Sequence, residues 1–387
     1  MSPNETEYRA PSHDGFIHIR ERDADARPRI VLVLQGGGAL GAYQAGVYQA
    51  LQEAGLEPDW IIGTSIGAIN AALIAGNAPE HRLSRLAAFW RKVEYDLPAN
   101  LLSSLPRGGP LARMMTTANG IPGFFTPNPE AFFGSAWPLG AEAAAHYSTA
   151  PLRATLTELV DFDRINGCEV RISVGAANVC TGQMRYFDSR DLRFTVDHVM
   201  ASGALPPAFP AVRIDGELYW DGGILSNTPL EAIFDDNPRN DALIFSVHVW
   251  NPAGTEPGTI GQVITRQKDV QFASRSQNQI MRQKQLHRLR RIIAELAEHL
   301  PETERRSAAM RELASFGCVT QMHVVSLQAP MIDMEDHMKD IDFSSATLKS
   351  RWEAGYDHTR KAIEQAPWEA AVDPLEGVVL HQIPLSN

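Results

Sequence analysis

The sequence predicts an α/β protein built on a mostly parallel sheet covered by helices. Three observations carry that expectation. The apolar run "RIVLVLQ" ends in three glycines and passes into a helix. A second short run, "WIIG", passes through a small-residue turn into another helix. The same alternation resumes at "EVRISVGAANV" after an irregular stretch. Strand–turn–helix units of this kind give parallel neighbours joined by crossover helices.

The chain has 387 residues, 44% hydrophobic and 21% charged, enough for a sizeable core and unlike a disordered chain. Its net charge of -11 argues against a general nucleic-acid binder. Cys168, Cys180 and Cys318 lack metal-ligand spacing and read as free thiols of a reducing compartment. The N-terminus is polar, carries acids and lacks the pattern of a signal peptide. No run approaches the ~20 apolar residues of a membrane span. The expectation is a cytoplasmic protein with, at most, peripheral membrane contact.

Taken in order, residues 1–28 read as a loose leader and 29–250 as the main domain. A strand is expected over Arg29–Gln35 and a helix over about Leu40–Ala54, followed by the "GLEPD" turn, the "WIIG" strand and the helix "TSIGAINAALIAG". Residues 91–137 are rich in Pro, Gly, Met and Phe and have no clean period. They read as an irregular insertion packed on the core, or as an apolar cap over a lipid site. Beyond them, "EVRISVGAANV" and "QMRYFD" are strands, and "VDHVMASGALP" is a helix stopped by Pro206 and Pro207. "AVRIDGELYWDGG" is a strand pair with turns at Asp215–Gly216 and Asp221–Gly222, and "DALIFSVHVW" is another buried strand.

Residues 251–387 read as mainly helical. A long helix is expected over Arg266–Leu300, with Leu286, Leu289, Ile293, Leu296 and Leu300 as an apolar stripe. The stripe faces the core or the interface of a homodimer. Six basic residues and no acid fall over Arg275–Arg291, which suits a solvated outer face or a surface for membrane or partner. A last helix is expected within "KDIDFSSATLKSRWEAGYDHTRKAIEQA".

The glycine turn allows two chemistries. Gly36, Gly38 and Gly41 fit the G-x-G-x-x-G fingerprint of dinucleotide sites, which also needs an acid at the end of the next strand. Asp59 stands before "WIIG" rather than after it, so the fingerprint is incomplete. The far end of that strand carries Gly63-Thr64-Ser65-Ile66-Gly67 instead, the G-x-S-x-G pattern of a nucleophile elbow. Two parallel strands ending at one sheet edge bring the amides of Gly36, Gly37, Gly38 and Ala39 near the Ser65 hydroxyl. The turn then reads as an oxyanion hole. For a base, His198, His248, His323 and His358 sit in no convincing motif. Asp221 follows a strand, and Gly222 and Gly223 let other backbone come close, so its carboxylate could take the Ser65 proton directly. The common alternative is that Asp221–Gly222 is simply a turn.

At this point the sequence resembles the patatin-like phospholipase family. The resemblance rests on "GGGALGAYQAGV", "GTSIGAINAA", "ASGALPPAFPAV" and the "DGG" turn, in that order, across residues ~30 to ~250. It implies a three-layer α/β/α sandwich and a Ser–Asp dyad without histidine: Ser65 the nucleophile, Asp221 the base, the glycine amides the oxyanion hole, Gly63, Gly67, Gly222 and Gly223 the support. Ser202 to Pro210 would line or shape the site. No metal or other cofactor is implied. The expected activity is lipid acyl hydrolysis. A catalytically idle lipid-binding protein on the same fold, or an esterase or thioesterase for other acyl groups, stand beside it.

Overall fold

The computed structural model describes residues 27–95, 118–134, 136–273, 276–331 and 338–384. Its centre is a nine-stranded sheet. The strands are β1 (Arg29–Leu34), β2 (Trp60–Gly63), β3 (Arg171–Asn178), β4 (Met184–Asp188), β5 (Val212–Ile214), β6 (Glu217–Asp221), β7 (Ala242–His248), β8 (Met322–Gln328) and β9 (Val378–Gln382). The order is β9-β8-β7-β1-β2-β3-β6-β5, with β4 on β3. From β9 to β3 all neighbours are parallel; β4, β5 and β6 pair antiparallel.

One detail of register positions the site. β2 stops at Gly63 opposite Val174, while β3 runs on to Asn178. Residues 173–177 of β3 pair with β4 on the other edge. The edge that β2 vacates is taken by β6, with Asp221 opposite Ala176. Asp221 is thereby delivered to the space just past the end of β2, where Ser65 stands.

Helices cover both faces. On one lie α1 (Ala42–Glu53), α2 (Ile66–Ala75), α3 (Pro79–Val93), α4 (Ala150–Leu159) and α5 (Val196–Ser202). The larger core cluster lies beneath them and includes Leu32, Leu34, Ile69 and Phe89. On the other face Val31, Val33, Ile62 and Ile244 pack beneath Leu230, Phe234 and Ile280. The strand residues alternate between these two clusters, as the period of a strand dictates. This is the three-layer α/β/α arrangement.

The C-terminal region is helical, with α6 (Ile260–Ala273), α7 (Ser276–Glu298) and α8 (Ser345–Gln365), but it also supplies β8 and β9. It therefore completes the same sheet rather than forming a unit beside it. α8 lies on α1, where His358 Nδ1 and the Tyr43 hydroxyl stand 2.7 Å apart and Trp352 Nε1 donates to Gln49 Oε1 at 2.7 Å.

One expectation is corrected here, that the leucine stripe faces this chain's core. Of the helix expected over Arg266–Leu300, α6 is described to Ala273 and α7 from Ser276, and residues 274–275 lie outside the described residues. Of the stripe's two readings, the core face is overturned: Leu289 and Leu296 are more than half exposed in the single chain, whereas Ile280, His287, Ala294 and Ala297 point inward. The small alanines let α7 approach the sheet, which the larger leucines would not. Of the insertion over 91–137, residues 96–117 and 135 lie outside the described residues, and "GIPGFF" is packed on the core, the first of its two readings. Ile121, Phe124 and Phe125 are buried, and Phe125 meets Phe209 and Tyr147. Most of the expected leader, residues 1–26, also lies outside the described residues. No described helix is long and apolar enough to cross a membrane.

Candidate active site

Ser65 caps the N-terminus of α2 with φ 57° and ψ -122°, a backbone region that costs a non-glycine residue about 1–3 kcal/mol. The surrounding structure enforces it. A Cβ on Gly63 would stand 2.4 Å from the Gly67 carbonyl oxygen, and one on Gly67 would stand 2.2 Å from that of Leu34. Only glycine permits so tight a strand-to-helix turn.

Asp221 ends β6 and is 3% exposed. Its Oδ1 accepts the Gly223 N–H at 2.7 Å. Burial pushes its pKa up to about 6, while hydrogen bonds from the Ser65 side chain and the Gly223 amide pull the other way. Ser65 and Asp221, distant in sequence, are thus brought together. The backbone N–H of Ser65 donates to Ser202 Oγ at 3.1 Å, and Ser202 donates to the Gly175 carbonyl at 2.7 Å. Ser202 thereby pins the elbow to β3.

Ser202→Ala removes that pin and leaves two buried backbone groups unpaired, at about 1–3 kcal/mol each. We expect a Tm several degrees lower and a kcat reduced about tenfold, with KM little changed. Denaturation curves and initial rates on a soluble ester check both.

Gly36, Gly37 and Gly38 line the same cavity as Ser65 and Asp221. Gly36 differs from expectation: its N–H is donated to the Asn227 carbonyl at 3.1 Å, so it is no free donor. Among the described residues, the amides of Gly37, Gly38 and Ala39 have no such partner. Their aim is set from behind. The Gly36 carbonyl accepts Trp250 Nε1 at 2.8 Å and Asn227 Nδ2 at 3.0 Å. In a planar trans peptide the next N–H points the opposite way, so these two side chains turn the Gly37 N–H away from themselves. Gly38 has φ +56°, and a Cβ there would lie 2.2 Å from the Asp340 carbonyl oxygen.

The sequence reading missed the residues that hold this turn. Gln35 is fully buried; its Oε1 accepts the amides of Val249 at 2.6 Å and Trp250 at 3.0 Å, and its Nε2 donates to Thr228 Oγ1 at 2.7 Å. Gln35 and Asn227 both donate to the Phe272 carbonyl, at 3.2 Å each. The available signal was a glutamine inside an apolar strand, which must find partners when buried.

The cavity holds about 320 Å³. Its polar end is the glycine turn with Ser65, Asp221 and Asn227. Its walls are aromatic and aliphatic: Phe124, Phe125, Tyr147 and Phe209 on one side, Phe272, Ile341 and Phe343 from the C-terminal region on another. Such a site suits a carbonyl at one end and a hydrocarbon along the rest.

The candidate histidines are engaged elsewhere. His198 takes part in the cap of α5 with Thr195, His248 stands 3.0 Å from Ser246, His323 pairs with His381, and His358 with Tyr43. Among the described residues none hydrogen-bonds Ser65 or Asp221. Asp59 accepts the Ile30 N–H at 2.8 Å, at the end of β1 remote from the glycine turn. A ribose-binding role for it has no geometric basis.

Known proteins place the chain. The family model described as patatin-like phospholipase matches residues 32–234, and a second, described as patatin phospholipase, matches 270–375. The "cGAMP-activated phospholipase" of Pseudomonas aeruginosa is 29% identical over 232 residues, covering 55% of this chain and 60% of that protein. An uncharacterised NTE family protein of Mycobacterium tuberculosis is 29% identical over 58% of this chain and 31% of its own length. The chain thus spans less than two thirds of these relatives. Among solved structures, VipD from Legionella pneumophila overlaps 88% of this chain and 67% of that chain, with a TM-score of 0.36 and 15% identity. The first family match alone covers more than half of the 387 residues, and the chain belongs to the patatin-like phospholipase family.

Proposed function

We propose that the chain hydrolyses acyl esters of lipids, with Ser65 as nucleophile and Asp221 as its base. The observation that carries this reading is a buried carboxylate, its pKa pushed up to about 6, lining one apolar cavity with the side chain of a backbone-strained serine. Asp221 takes the Ser65 proton as Oγ attacks the carbonyl carbon. The amides of Gly37, Gly38 and Ala39 hold the oxyanion, each worth roughly 10² to 10³ in rate in comparable sites. The tetrahedral intermediate collapses, and the leaving alkoxide takes the proton from Asp221. Water, losing a proton to Asp221, then attacks the acyl-serine and releases the fatty acid.

A fluorophosphonate probe tests the nucleophile. Phosphonylation of Ser65, located by peptide mapping and lost in Ser65→Ala, is expected. A folded wild type that stays unlabelled with detergent or vesicles present would favour the idle lipid-binding reading.

The same reading includes peripheral membrane contact. Phe133 and Trp137 are 70% and 57% exposed, their ring centroids 5.4 Å apart, in the segment that leads from Phe124 and Phe125 to Tyr147. The basic helix lends less: Lys284 pairs with Glu376, and Arg291 holds backbone carbonyls. Replacing Phe133 and Trp137 by Ser forfeits about 1.5–3 kcal/mol each on full burial. Vesicle sedimentation is expected to weaken at least about tenfold, with soluble-ester hydrolysis unchanged. Equal sedimentation of the variant would remove this segment from the contact.

A further inference from the structure

The end of the sheet opposite Ser65 gathers cations, two of which form no ion pair among the described residues. β7, β8 and β9 run parallel to β1, so the loops entering them meet at the end remote from the glycine turn. β7 has seven residues, which puts the two ends about 20 Å apart. α7 crosses that end, with His287, Arg290 and Arg291 at i, i+3 and i+4 on one face. A Cβ on Gly377, just before β9, would lie 3.1 Å from His287 Cβ, and the Phe234 ring lies 6.2 Å from the imidazole. The Arg290 carbonyl accepts the Cys318 N–H at 3.2 Å. Arg291 donates from Nη2 to the Val319 carbonyl at 2.8 Å and from Nη1 to that of Pro374. Arg239 lies in the loop from Phe234 to β7. The far end of that loop is tied to the same place, where Asp241 Oδ1 accepts the Gln321 N–H at 2.8 Å.

Several buried nitrogens here lack a hydrogen-bond partner. Arg239 Nε, Arg290 Nη1 and His287 Nε2 are buried without a hydrogen-bond partner, and His287 as a whole is 1% exposed. Neither Arg239 nor Arg290 forms an ion pair among the described residues; Asp235 is the carboxylate whose charge reaches Arg290. Burial, reinforced by Arg290, Arg239 and Arg291, pushes His287 down to about 4, so it is neutral. Burial and the charge of Arg239 also lower Arg290. Two guanidiniums close enough to repel each other, beside a neutral imidazole, would cost stability if nothing answered them. Their planar forks match an anion with several oxygens.

We infer that Arg239, His287 and Arg290 form a second binding site, remote from Ser65, for a phosphate group carried by a soluble phosphate ester or by an anionic lipid headgroup.

The full chain is titrated with inorganic phosphate at constant ionic strength, against chloride, by thermal denaturation and calorimetry. A saturable rise of several degrees in Tm is expected. Arg239→Gln and Arg290→Gln should each weaken phosphate binding at least tenfold, while soluble-ester hydrolysis stays at the wild-type rate. In chloride alone both variants should melt no lower than wild type, because each removes a like-charge neighbour. Vesicles of phosphatidic acid, against phosphatidylcholine, separate the sources. Binding that both variants weaken and free phosphate competes assigns the headgroup; phosphate binding without vesicle binding assigns a soluble ester. The inference is overturned if phosphate does no more than chloride and neither variant alters vesicle binding. It is equally overturned if the variants melt lower in chloride while their phosphate response is intact, which would make the arginines structural braces.

Discussion

Asp221→Asn is expected to slow hydrolysis by about 10³-fold or more and, at the same time, to raise the stability of the protein above pH 7. The two effects have one origin. As the proposed base, Asp221 must be ionised to accept the Ser65 proton, yet its position is 3% exposed and disfavours the charge. Its pKa of about 6 in the fold exceeds the ordinary 3.8, so the stability linked to it is fully present below pH 3.8 and is lost as pH rises through about 6. That span corresponds to up to about 3 kcal/mol carried as a cost at pH 8. Asparagine keeps the shape and can accept the Gly223 N–H but carries no charge. The variant should therefore melt higher than wild type at pH 8 and alike near pH 4. Wild-type kcat/KM should fall as pH drops through about 6. A variant that keeps a tenth of the rate, or a wild-type profile flat down to pH 5, would remove Asp221 from the role of base. A variant that is inactive but no more stable would leave the role in place and point to Asn failing to satisfy Gly223.

The sequence showed the elements of the proposed site because their chemistry demands particular residues at short range. A serine at φ 57° needs glycine on both sides, and an Asp at a strand end followed by two glycines is equally local. What it did not show was non-local. No spacing in the chain indicates that β3 outruns β2 and that β6 fills the gap, which is what sets Asp221 beside Ser65. Nor does spacing reveal that Gly36 spends its amide on Asn227, since the partner lies 191 residues away. The leucine stripe of α7 misled for a related reason. Periodicity finds an apolar face, but which face is buried depends on the neighbour, and here the sheet accepts alanines. The strands of the C-terminal region were missed because "MHVVSLQ" is short and lies among helices.

That region bears on catalysis through a buried ion pair, and breaking it is the second large effect we expect. Lys339 Nζ lies 2.7 Å from Asp269 Oδ1, with side chains 5% and 7% exposed. The same ammonium stands 5.3 Å over the Trp250 ring, whose Nε1 fixes the Gly36 carbonyl. The next residue, Asp340, pairs with Lys268 at 2.7 Å and sets its carbonyl against Gly38. Arg351 of α8 donates to the Lys339 carbonyl at 2.9 Å. The segment is thus fastened to α6 and α8 on one side and braces the glycine turn, the proposed oxyanion hole, on the other. Lys339→Met leaves Asp269 charged, buried and unpaired, at about 3–5 kcal/mol. We expect a matching loss in denaturant unfolding and, under conditions where the variant is folded, a kcat reduced about ten- to a hundredfold as the turn loosens. Lys339→Met with Asp269→Leu removes both charges and should recover most of the stability, because replacing both members of a buried pair with apolar groups is often neutral. The rate separates two roles. If it recovers with stability, the pair serves only to hold the segment in place. If it stays low in a stable double variant, the ammonium over Trp250 itself keeps the Gly36 peptide, and with it the Gly37 N–H, in its catalytic orientation.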